Sequence, residues 1–393
     1  MNHNWEYYKF GTLCEIVRGG SPRPIQSYLT DSEDGLNWIK IGDVAVGSKY
    51  ISSTKEKIIK EGLAKTRQVF KGDFLLSNSM SFGRPYILNI DGCIHDGWLA
   101  IKGVEKYFIP DFLYYFLSSH TTYALFEKLV RRGIVSNLNS DIVRGIDVPV
   151  PPMTVQEQIV AELDRINDLI TKNRELLTHL DSLTQSVFYD TFGDTITNPK
   201  GWEVYSLEEC VSPDCSISYG IVQPGEDYVN GVPVVRPVDF THSRFVSVNN
   251  LKCINPEISD SYKRTILCGN EILICVRGTT GLVRLADMSL AGCNVTRGIV
   301  PLMFPVTISR TYLYEYLKQD RPQDFIKFYT RGTTLKQINL SDLRKLPLLL
   351  PPLALQEEFA RKVEAIEAQK AKVETEIAEL ETLRDTRMDY WFA

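Results

Sequence analysis

The sequence predicts an α+β protein: two similar α/β domains, separated by a long antiparallel two-helix coiled coil. Two observations support this fold class. Six short stretches recur in the same order roughly 200 residues apart. Each copy then ends in a heptad pattern of apolar residues, which is typical of paired helices. A repeat of this length indicates a duplicated domain, so we expect a pseudo-two-fold internal repeat.

The composition is that of an ordinary globular chain long enough for several cores. The 393 residues are 44% hydrophobic and 24% charged. The first residues lack the pattern of a secretory signal, and no apolar run approaches the roughly 20 residues that span a bilayer. We therefore expect a cytoplasmic protein with no membrane contact. The eight cysteines contain no C-x-x-C pair, which favours free thiols.

The two globular parts are predicted at residues 1–152 and 193–352, followed by helices at 153–192 and 353–393. Each copy shows short β-rich runs, Gly/Pro turns and a few helical runs, which favours α+β domains. The matched stretches are "WEYYKF" and "WEVYSL", "WIKIGDV" and "VVRPVDF", "GDFLLS" and "GNEILI", "GCIHDGW" and "GCNVTRG", "FLYYFL" and "YLYEYL", and "RGIVSNLNSD" and "RGTTLKQINLSD".

Both long helices begin with almost the same phrase, "PPMTVQEQ" and "PPLALQEE". In the first, Thr154 and Glu157 have the spacing of a capping box, and the second has Ala354 at the Thr position. Apolar residues then step alternately by four and three, in one register in both copies. The predicted seam consists of Ile159, Leu163, Ile166, Ile170, Leu177 and Leu180 in the first helix, and Phe359, Val363, Ile366, Val373, Ile377 and Leu380 in the second.

The simplest way to bury both stripes is to pack the helices against each other. The loop "FGDTITNPKGW" ends the first helix, the second globular part follows, and the second helix returns. The pair would then be antiparallel and would hold the globular parts apart like a ruler of fixed length. The alternative is that each helix packs only on its own globular part.

The charge is unevenly distributed, although the net charge is only −5. Residues 154–192 carry seven acidic and three basic side chains, and residues 353–393 carry ten and six. The remaining segments are therefore mildly basic, and their basic and polar residues fall in predicted loops. Two similar domains at a fixed distance match the symmetry of duplex DNA.

Arg, Asn and Gln can pair with base edges in the major groove, while Ser and Thr suit phosphates. The candidate DNA-binding residues of the first copy are Arg18, Ser21, Arg23, Lys40, Ser77, Asn78, Arg84, Arg131, Arg132 and Asn137. Those of the second copy are Tyr219, Gln223, Arg236, Arg277, Thr279, Thr280, Arg297, Arg331, Thr334 and Lys336. The copies differ most in these loops, as expected if each recognises a different half-site.

The sequence shows no catalytic constellation. Neither Pro-Pro pair has the neighbours of an amino-methyltransferase motif, and "GDVAVGSK" is only a near miss to a phosphate-binding loop. The five histidines are scattered, and His95-Asp96 is the only adjacent acid–base pair, for which a structural role is expected. We expect no catalytic residue and no metal site.

These features together resemble the specificity subunit of a type I restriction–modification enzyme. The resemblance covers essentially the whole chain and rests on the Pro-Pro-x-x-x-Gln-Glu helix start, the "FGD" helix end and the "GWE" start of the second domain. It implies two target-recognition domains, each followed by a spacer helix, in a subunit that performs no chemistry. The domains would each recognise one half of a bipartite site in double-stranded DNA.

The resemblance also implies partners. Two modification (methyltransferase) subunits would bind along the helices and domains, and restriction (endonuclease/translocase) subunits would join them. No cofactor is expected on this chain, while S-adenosylmethionine, ATP and Mg are expected in the partner subunits. The alternatives are a coiled-coil scaffold, or a specificity subunit of a methylation-only or other anti-phage system. An autonomous nuclease would require a carboxylate cluster, and the sequence shows none.

Overall fold

The computed structural model describes residues 5–44, 47–78, 82–132, 137–241, 243–333 and 335–393, with the side chain of Arg132 excluded. The chain divides into two compact units. The first unit comprises residues 1–175 and 374–393, and the second comprises 176–373. Each unit contains one globular part and portions of two 40-residue helices, the first long helix (Met153–Phe192) and the second long helix (Leu353–Phe392).

Among its described residues, the globular part of the first unit is built from short strands and four helices. The strands are β1 (Glu6–Lys9), β2 (Glu15–Arg18), β3 (Leu29–Thr30), β4 (Leu36–Ile39), β5 (Tyr50–Ile51), β6 (Glu56–Ile58), β7 (Arg67–Val69), β8 (Phe74–Ser77), β9 (Pro85–Leu88), β10 (Gly92–Ile94), β11 (Trp98–Lys102) and β12 (Asp147–Val150). The helices are α1 (Phe10–Leu13), α2 (Pro110–Ser118), α3 (His120–Arg132) and α4 (Ser140–Gly145). Short 3-10 turns cover Ile25–Ser27, Ile41–Asp43 and Lys60–Lys65.

Two five-stranded sheets and one strand pair organise this unit. The sheets have the orders β3-β6-β4-β10-β7 and β2-β11-β8-β9-β5, and β1 pairs with β12. Strand β8 is apolar on both sides because both sides are covered. Phe74 and Leu76 face a core shared with α2, α3 and the long helices, while Leu75 packs in a second core with residues of the other sheet.

The globular part of the second unit contains the corresponding elements. Its strands are β13 (Val204–Ser206), β14 (Val232–Val235), β15 (Lys252–Ile254), β16 (Ile272–Cys275), β17 (Val283–Leu285), β18 (Asn294–Val295), β19 (Ile299–Leu302) and β20 (Pro347–Leu349). Its helices are α5 (Leu207–Cys210), α6 (Pro256–Asp260), α7 (Arg310–Leu317), α8 (Asp320–Tyr329) and α9 (Leu340–Leu343). Its 3-10 turns cover Pro237–Asp239, Lys263–Thr265 and Met288–Leu290.

The strand pairings confirm that the two globular parts share one topology. The orders β15-β14-β18 and β17-β16-β19 repeat β6-β4-β10 and β9-β8-β11, and β13 pairs with β20 as β1 does with β12. The parallel pairing of β4 with β10 recurs between β14 and β18. Alternate residues of β16 again face two cores, Ile272 one and Leu273 the other. The predicted repeat is therefore a repeat of fold.

The long helices pack antiparallel within each unit. In the first unit, Arg387 donates to Glu162, and Asn173 donates to Glu376 at 3.3 Å. In the second unit, Lys370 pairs with Asp181 at 2.8 Å, and the ring centroids of Phe188 and Phe359 are 5.5 Å apart. In each unit, residues later in the first long helix contact residues earlier in the second. This confirms the predicted antiparallel coiled coil.

The alternative packing is also present in part of each helix. Ile159 and Leu163 are fully buried in a core that contains Phe112 and Phe116 of α2. Phe359 and Val363 are buried in the equivalent core of the second unit. The start of each long helix therefore packs on its own globular part as well as near the other helix. The remaining predicted seam residues are buried or half-buried.

The predicted capping box at Thr154 is wrong. The helix begins one residue earlier, so Thr154 lies exposed in the first turn, and the backbone N–H of Val155 donates to the Pro152 carbonyl at 2.9 Å. The side chain of Gln156 instead holds the start of the helix in place. Its amide accepts from Ile109 N at 2.8 Å and donates to Pro151 O at 3.0 Å.

Gln356 makes the equivalent bonds in the second copy. It accepts from Ser309 N at 2.9 Å and donates to Pro351 O at 2.7 Å. Both glutamines are almost completely buried. The repeated Pro-Pro-x-x-x-Gln phrase therefore fixes a helix start to the segment that leads into α2 or α7.

Candidate nucleic-acid interface

Four of the candidate residues in the first unit converge on Asp96. Ser21 Oγ donates to Asp96 Oδ1 at 2.8 Å, and Asn78 Nδ2 donates to the Asp96 carbonyl oxygen at 2.8 Å. Arg18 Nε donates to the same carbonyl at 3.2 Å, and Arg23 lies 3.7 Å from the carboxylate. The loops after β2, β8 and β10 thus form one cluster around a single acidic residue.

Asp96 organises these loops, and the sequence predicted a structural role for it without its partners. The hydrogen bond from Ser21 lowers the pKa of its carboxyl group, so it is charged at neutral pH. The segment after β2 can lie close to the His95 backbone because residue 19 is a glycine. A Cβ at this position would lie only 2.1 Å from the His95 carbonyl oxygen. The adjacent His95-Asp96 pair was the available signal, and its predicted role was structural.

Arg84 and Asn137 border the same cluster with exposed side chains. Arg84 follows the turn that β8 enters, where its N–H donates to Ser77 Oγ at 3.0 Å. Its guanidinium makes no ion pair with any described residue. The loop that carries Asn137 is joined to this turn by Leu138 N, which donates to the Asn78 carbonyl at 3.0 Å.

Two further candidates of the first unit are engaged elsewhere. Lys40 pairs with Glu56 at 2.6 Å on the other sheet. Arg131 is exposed on α3 and lies 3.7 Å from Glu127. The candidate side chain of Arg132 lies outside the described part of the chain.

The second unit brings two candidate loops together. Gly278 N donates to the Lys336 carbonyl at 2.8 Å, and Arg277 pairs with Gln337 in an antiparallel bridge. The hydroxyl oxygens of Thr280 and Thr330 are 3.2 Å apart. The candidates Arg277, Thr279, Thr280, Arg331 and Lys336 therefore lie on one pair of joined loops. Thr334 belongs to this stretch but lies outside the described residues.

The segment that carries Tyr219 and Gln223 runs beside Arg297. Ile221 N donates to Val295 O, and Arg297 N donates to Ile221 O, both at 2.8 Å. A Cβ on Gly220 would lie 2.1 Å from the Val295 carbonyl oxygen. This close approach repeats the one at Gly19 of the first unit.

Arg236 is held by its own turn. Its Nε and a terminal nitrogen contact the carboxylate of Asp239 at 3.1 and 2.8 Å. Hydrogen bonding to Asp239 raises the pKa of the guanidinium. Lys40 begins the equivalent turn of the first unit, where its N–H donates to Asp43 at 2.8 Å. Both candidates therefore use some of their hydrogen-bond donors within the protein.

The described residues include no group of three or more His, Cys, Asp or Glu side chains arranged to hold a metal ion. All eight cysteines are free. Burial raises the pKa of the Cys93 and Cys275 thiols to about 11, so these thiols are protonated at neutral pH. No helix in the described ranges is long and apolar enough to cross a membrane.

The duplicated fold, with a polar loop cluster in each copy, defines a class of two-domain proteins in which a long helix follows each globular part. A sequence model described as the type I restriction modification DNA specificity domain matches residues 2–180 and 199–382. The chain therefore belongs to the family of type I restriction–modification specificity subunits and carries two such domains.

Similar proteins agree with this assignment. The type I restriction enzyme EcoBI specificity subunit of Escherichia coli is 21% identical, over 96% of this chain and 82% of its own length. The putative MjaX specificity subunit of Methanocaldococcus jannaschii is 24% identical, over 93% and 87%.

Solved structures agree on the fold. One, from work on complex assembly and conformational transition of the type I R-M system, has a TM-score of 0.61 at 20% identity and covers 99% of this chain and 97% of its own. The S subunit of a type I restriction–modification system from M. genitalium has a TM-score of 0.52 at 14% identity, over 98% and 96%.

Proposed function

We propose that this chain is the DNA-reading subunit of a type I restriction–modification complex, and that each globular part recognises one half of a bipartite site. The observation that carries the proposal is one topology repeated with different loops at the same place. A conserved framework with divergent polar loops suits two readers of different sequences. In this proposal residues 1–152 and 193–352 are the recognition domains, and 153–192 and 353–393 are the spacer helices.

The best candidates for base contacts are side chains whose hydrogen-bond donors are not all used within the protein. In the first domain these are Arg23 and Arg84, since the Arg23 side chain is 83% exposed and Arg84 has no ion partner among described residues. In the second domain, Arg297 and Lys336 have no side-chain partner in the described part of the chain. Arginine can bond both acceptors of guanine. Ser21 and Asn78, bound to Asp96, are better suited to shaping the loops.

The long helices would receive the modification subunits. Leu169, Leu176 and Leu183 recur at heptad spacing on the first long helix, and each is more than 40% exposed. Such a stripe suits a partner helix. In this arrangement S-adenosylmethionine, ATP and Mg belong to the partner subunits, which also include the restriction subunits, and none of these cofactors to this chain.

The proposal is tested by mapping N6-methyladenine in the genome of cells that express this chain with its methyltransferase subunit. We expect a two-part methylated motif that disappears when this chain is removed. If the two proteins co-purify and no such motif appears, the chain is not directing methylation and a scaffold becomes the better description.

A paired substitution tests whether the halves are read independently. Arg131→Ala together with Arg132→Ala should weaken methylation of one half-site by about tenfold or more, the cost of about one lost base or phosphate contact, and leave the other half unchanged. Lys128→Ala, an exposed change on the same helix, is the control. An equal loss at both halves contradicts independent reading.

A further inference from the structure

A partly buried cation joins the first globular part to the first long helix. Lys49 Nζ contacts the carboxylate of Asp111, in the first turn of α2, and lies 3.7 Å from Asp164 of the long helix. It also lies 5.0 Å from the ring centroids of Tyr114 and Tyr115. The Lys49 side chain is only 19% exposed.

The second unit contains the same arrangement with different residue types. Arg244 donates to Glu364 of the second long helix and to Thr311 at the start of α7, both at 3.1 Å. Thr311 itself donates to Glu364 at 2.9 Å. The guanidinium lies 5.3 Å from the ring centroid of Tyr314 and 5.8 Å from that of Phe245. The Arg244 side chain is 8% exposed.

These two sites correspond element by element. Asp111 and Thr311 each lie in the first turn of the helix that follows the sheets, and the acid of each pair lies at the same position of its long helix. In both units the carbonyl of the cation accepts from the equivalent strand: Ile87 N of β9 donates to Lys49 O at 3.0 Å, and Leu285 N of β17 donates to Arg244 O at 2.9 Å. The two arrangements are therefore equivalent although the residue types differ. Arg244 replaces Lys49, Thr311 replaces Asp111, and Glu364 replaces Asp164.

Each cation ties a globular part to its helix at a point beyond the apolar core. A pair that is partly desolvated and shared among several partners is screened less, and is more restricted in geometry, than an exposed ion pair. Removing Lys49 would leave the carboxylates of Asp111 and Asp164 without the cation that they share, although each still accepts a hydrogen bond from a tyrosine hydroxyl. Their repulsion would tilt α2 away from the long helix.

We propose that Lys49 and Arg244 are positioning residues that fix the angle of each recognition domain on its spacer helix, and so set the permitted separation of the two half-sites. This inference rests on the function proposed above. It predicts that the cations act on spacer length and not on base preference, since neither belongs to the loop clusters around Asp96 or the Arg277 bridge.

The test compares methylation rates on duplexes whose half-sites are separated by the natural spacer or by one base pair more or fewer. The complex of this chain with its methyltransferase subunits is used throughout. The wild-type complex should prefer the natural spacer by about tenfold or more, and Lys49→Met should reduce that ratio to about two- to threefold. Lys49→Arg should restore it, and Arg244→Met should repeat the loss.

The ratio separates positioning from simple destabilisation, because a loss of folded protein lowers both rates equally. Lys102→Met is the matched control: Lys102 is 24% exposed, and its partners, Asp73 and the Gln68 carbonyl, lie within the globular part. Asp164→Asn keeps the side-chain shape and should relax the ratio even if Lys49→Met fails to fold.

An unchanged ratio in Lys49→Met, or in Asp164→Asn where only that variant folds, overturns the inference. So does an equal relaxation in Lys102→Met. Failure of the wild-type complex to methylate any bipartite site would instead overturn the proposed function.

Discussion

Gln156 shows how much a single buried amide can specify. It is inaccessible to solvent and bonds Ile109 N, Tyr107 O and Pro151 O. An apolar replacement would leave these backbone groups unsatisfied in the interior. The same residue type has been kept at position 356 for the same reason.

We expect Gln156→Ala to reduce the free energy of unfolding by about 1–3 kcal/mol, the usual cost of stranding buried polar groups. The midpoint of thermal or urea unfolding measures it. Thr154→Ala is the matched control, two residues away and exposed, and should change the free energy by less than about 0.5 kcal/mol. A loss of about 1 kcal/mol in Thr154→Ala would instead indicate that Thr154 does cap the helix.

The sequence could indicate which loops are polar, but not which hydrogen bonds join them. The loops that carry Arg18 and Asn78 could be identified from their polar residues. Their common partner Asp96 could not, because it lies more than 70 residues from Arg18 along the chain. Hydrogen-bond networks of this kind form only after strands from distant segments have paired. Whether the candidate residues touch DNA stays a prediction.

At the scale of elements, the end of the second long helix completes the core of the first unit. The Phe392 ring lies 5.7 Å from that of Phe112 and 5.9 Å from that of Phe116. Trp391 stacks on Trp5 at 6.2 Å and donates to Glu162 at 3.0 Å. Phe192 occupies the equivalent place in the second unit, 5.2 Å from Phe359.

Phe392→Ala should therefore destabilise the first unit by about 3–5 kcal/mol, as is usual for a large aromatic side chain removed from a core. Differential scanning calorimetry should show the unfolding transition of the first unit shifted to a lower temperature. Leu383→Ala removes an apolar side chain that is 46% exposed on the same helix, and should have little effect. Equal effects of the two substitutions would contradict this assignment.

The contact of Glu162 with Arg387 predicts a pH dependence. The bond from Arg387 lowers the pKa of Glu162 below its ordinary value of 4.5. Its stabilising contribution is therefore complete above that value and is lost as the pH falls through the lower, folded-state pKa.

We expect Glu162→Gln to flatten the decrease in melting temperature below about pH 4.5, relative to the wild type. Glu157→Gln, an exposed change in the first turn of the same helix, serves as the control and should follow the wild-type curve. A mutant curve parallel to the wild-type curve over this range would show that the pair contributes nothing.

The helices and their pairing were predictable because heptad periodicity is local. The strand order was not, since the parallel pairing of β4 with β10 joins segments more than 50 residues apart. Nor could the pattern show that Ile159 and Leu163 serve the globular core and the helix pair together. Apolar spacing identifies the face that is buried and leaves open what covers it.

At the scale of the whole molecule, the proposed function makes helix length a measure of DNA spacing. Inserting one heptad after Leu177, with a matching heptad after Ile377, adds about 10 Å to each helix. At 3.4 Å per base pair this corresponds to about three base pairs. The methylated motif should keep both half-sites and lengthen its spacer by about that amount.

Sequencing of methylated DNA from cells with the double insertion measures the result. A heptad inserted into only one helix is the control, and should abolish bipartite methylation because the seam no longer matches. An unchanged spacer in the double insertion would show that the helices do not set the distance between half-sites.

The two units also differ in how they are synthesised. The second unit is one continuous segment, whereas the first requires residues 374–393, which leave the ribosome long after residues 1–175. At about 5–20 residues per second, nearly 200 intervening residues take about 10–40 s to translate. During that time Phe112 and Phe116 lack the Phe392 ring that packs against them in the finished chain. The half of the protein that is made first is thus the last to be finished.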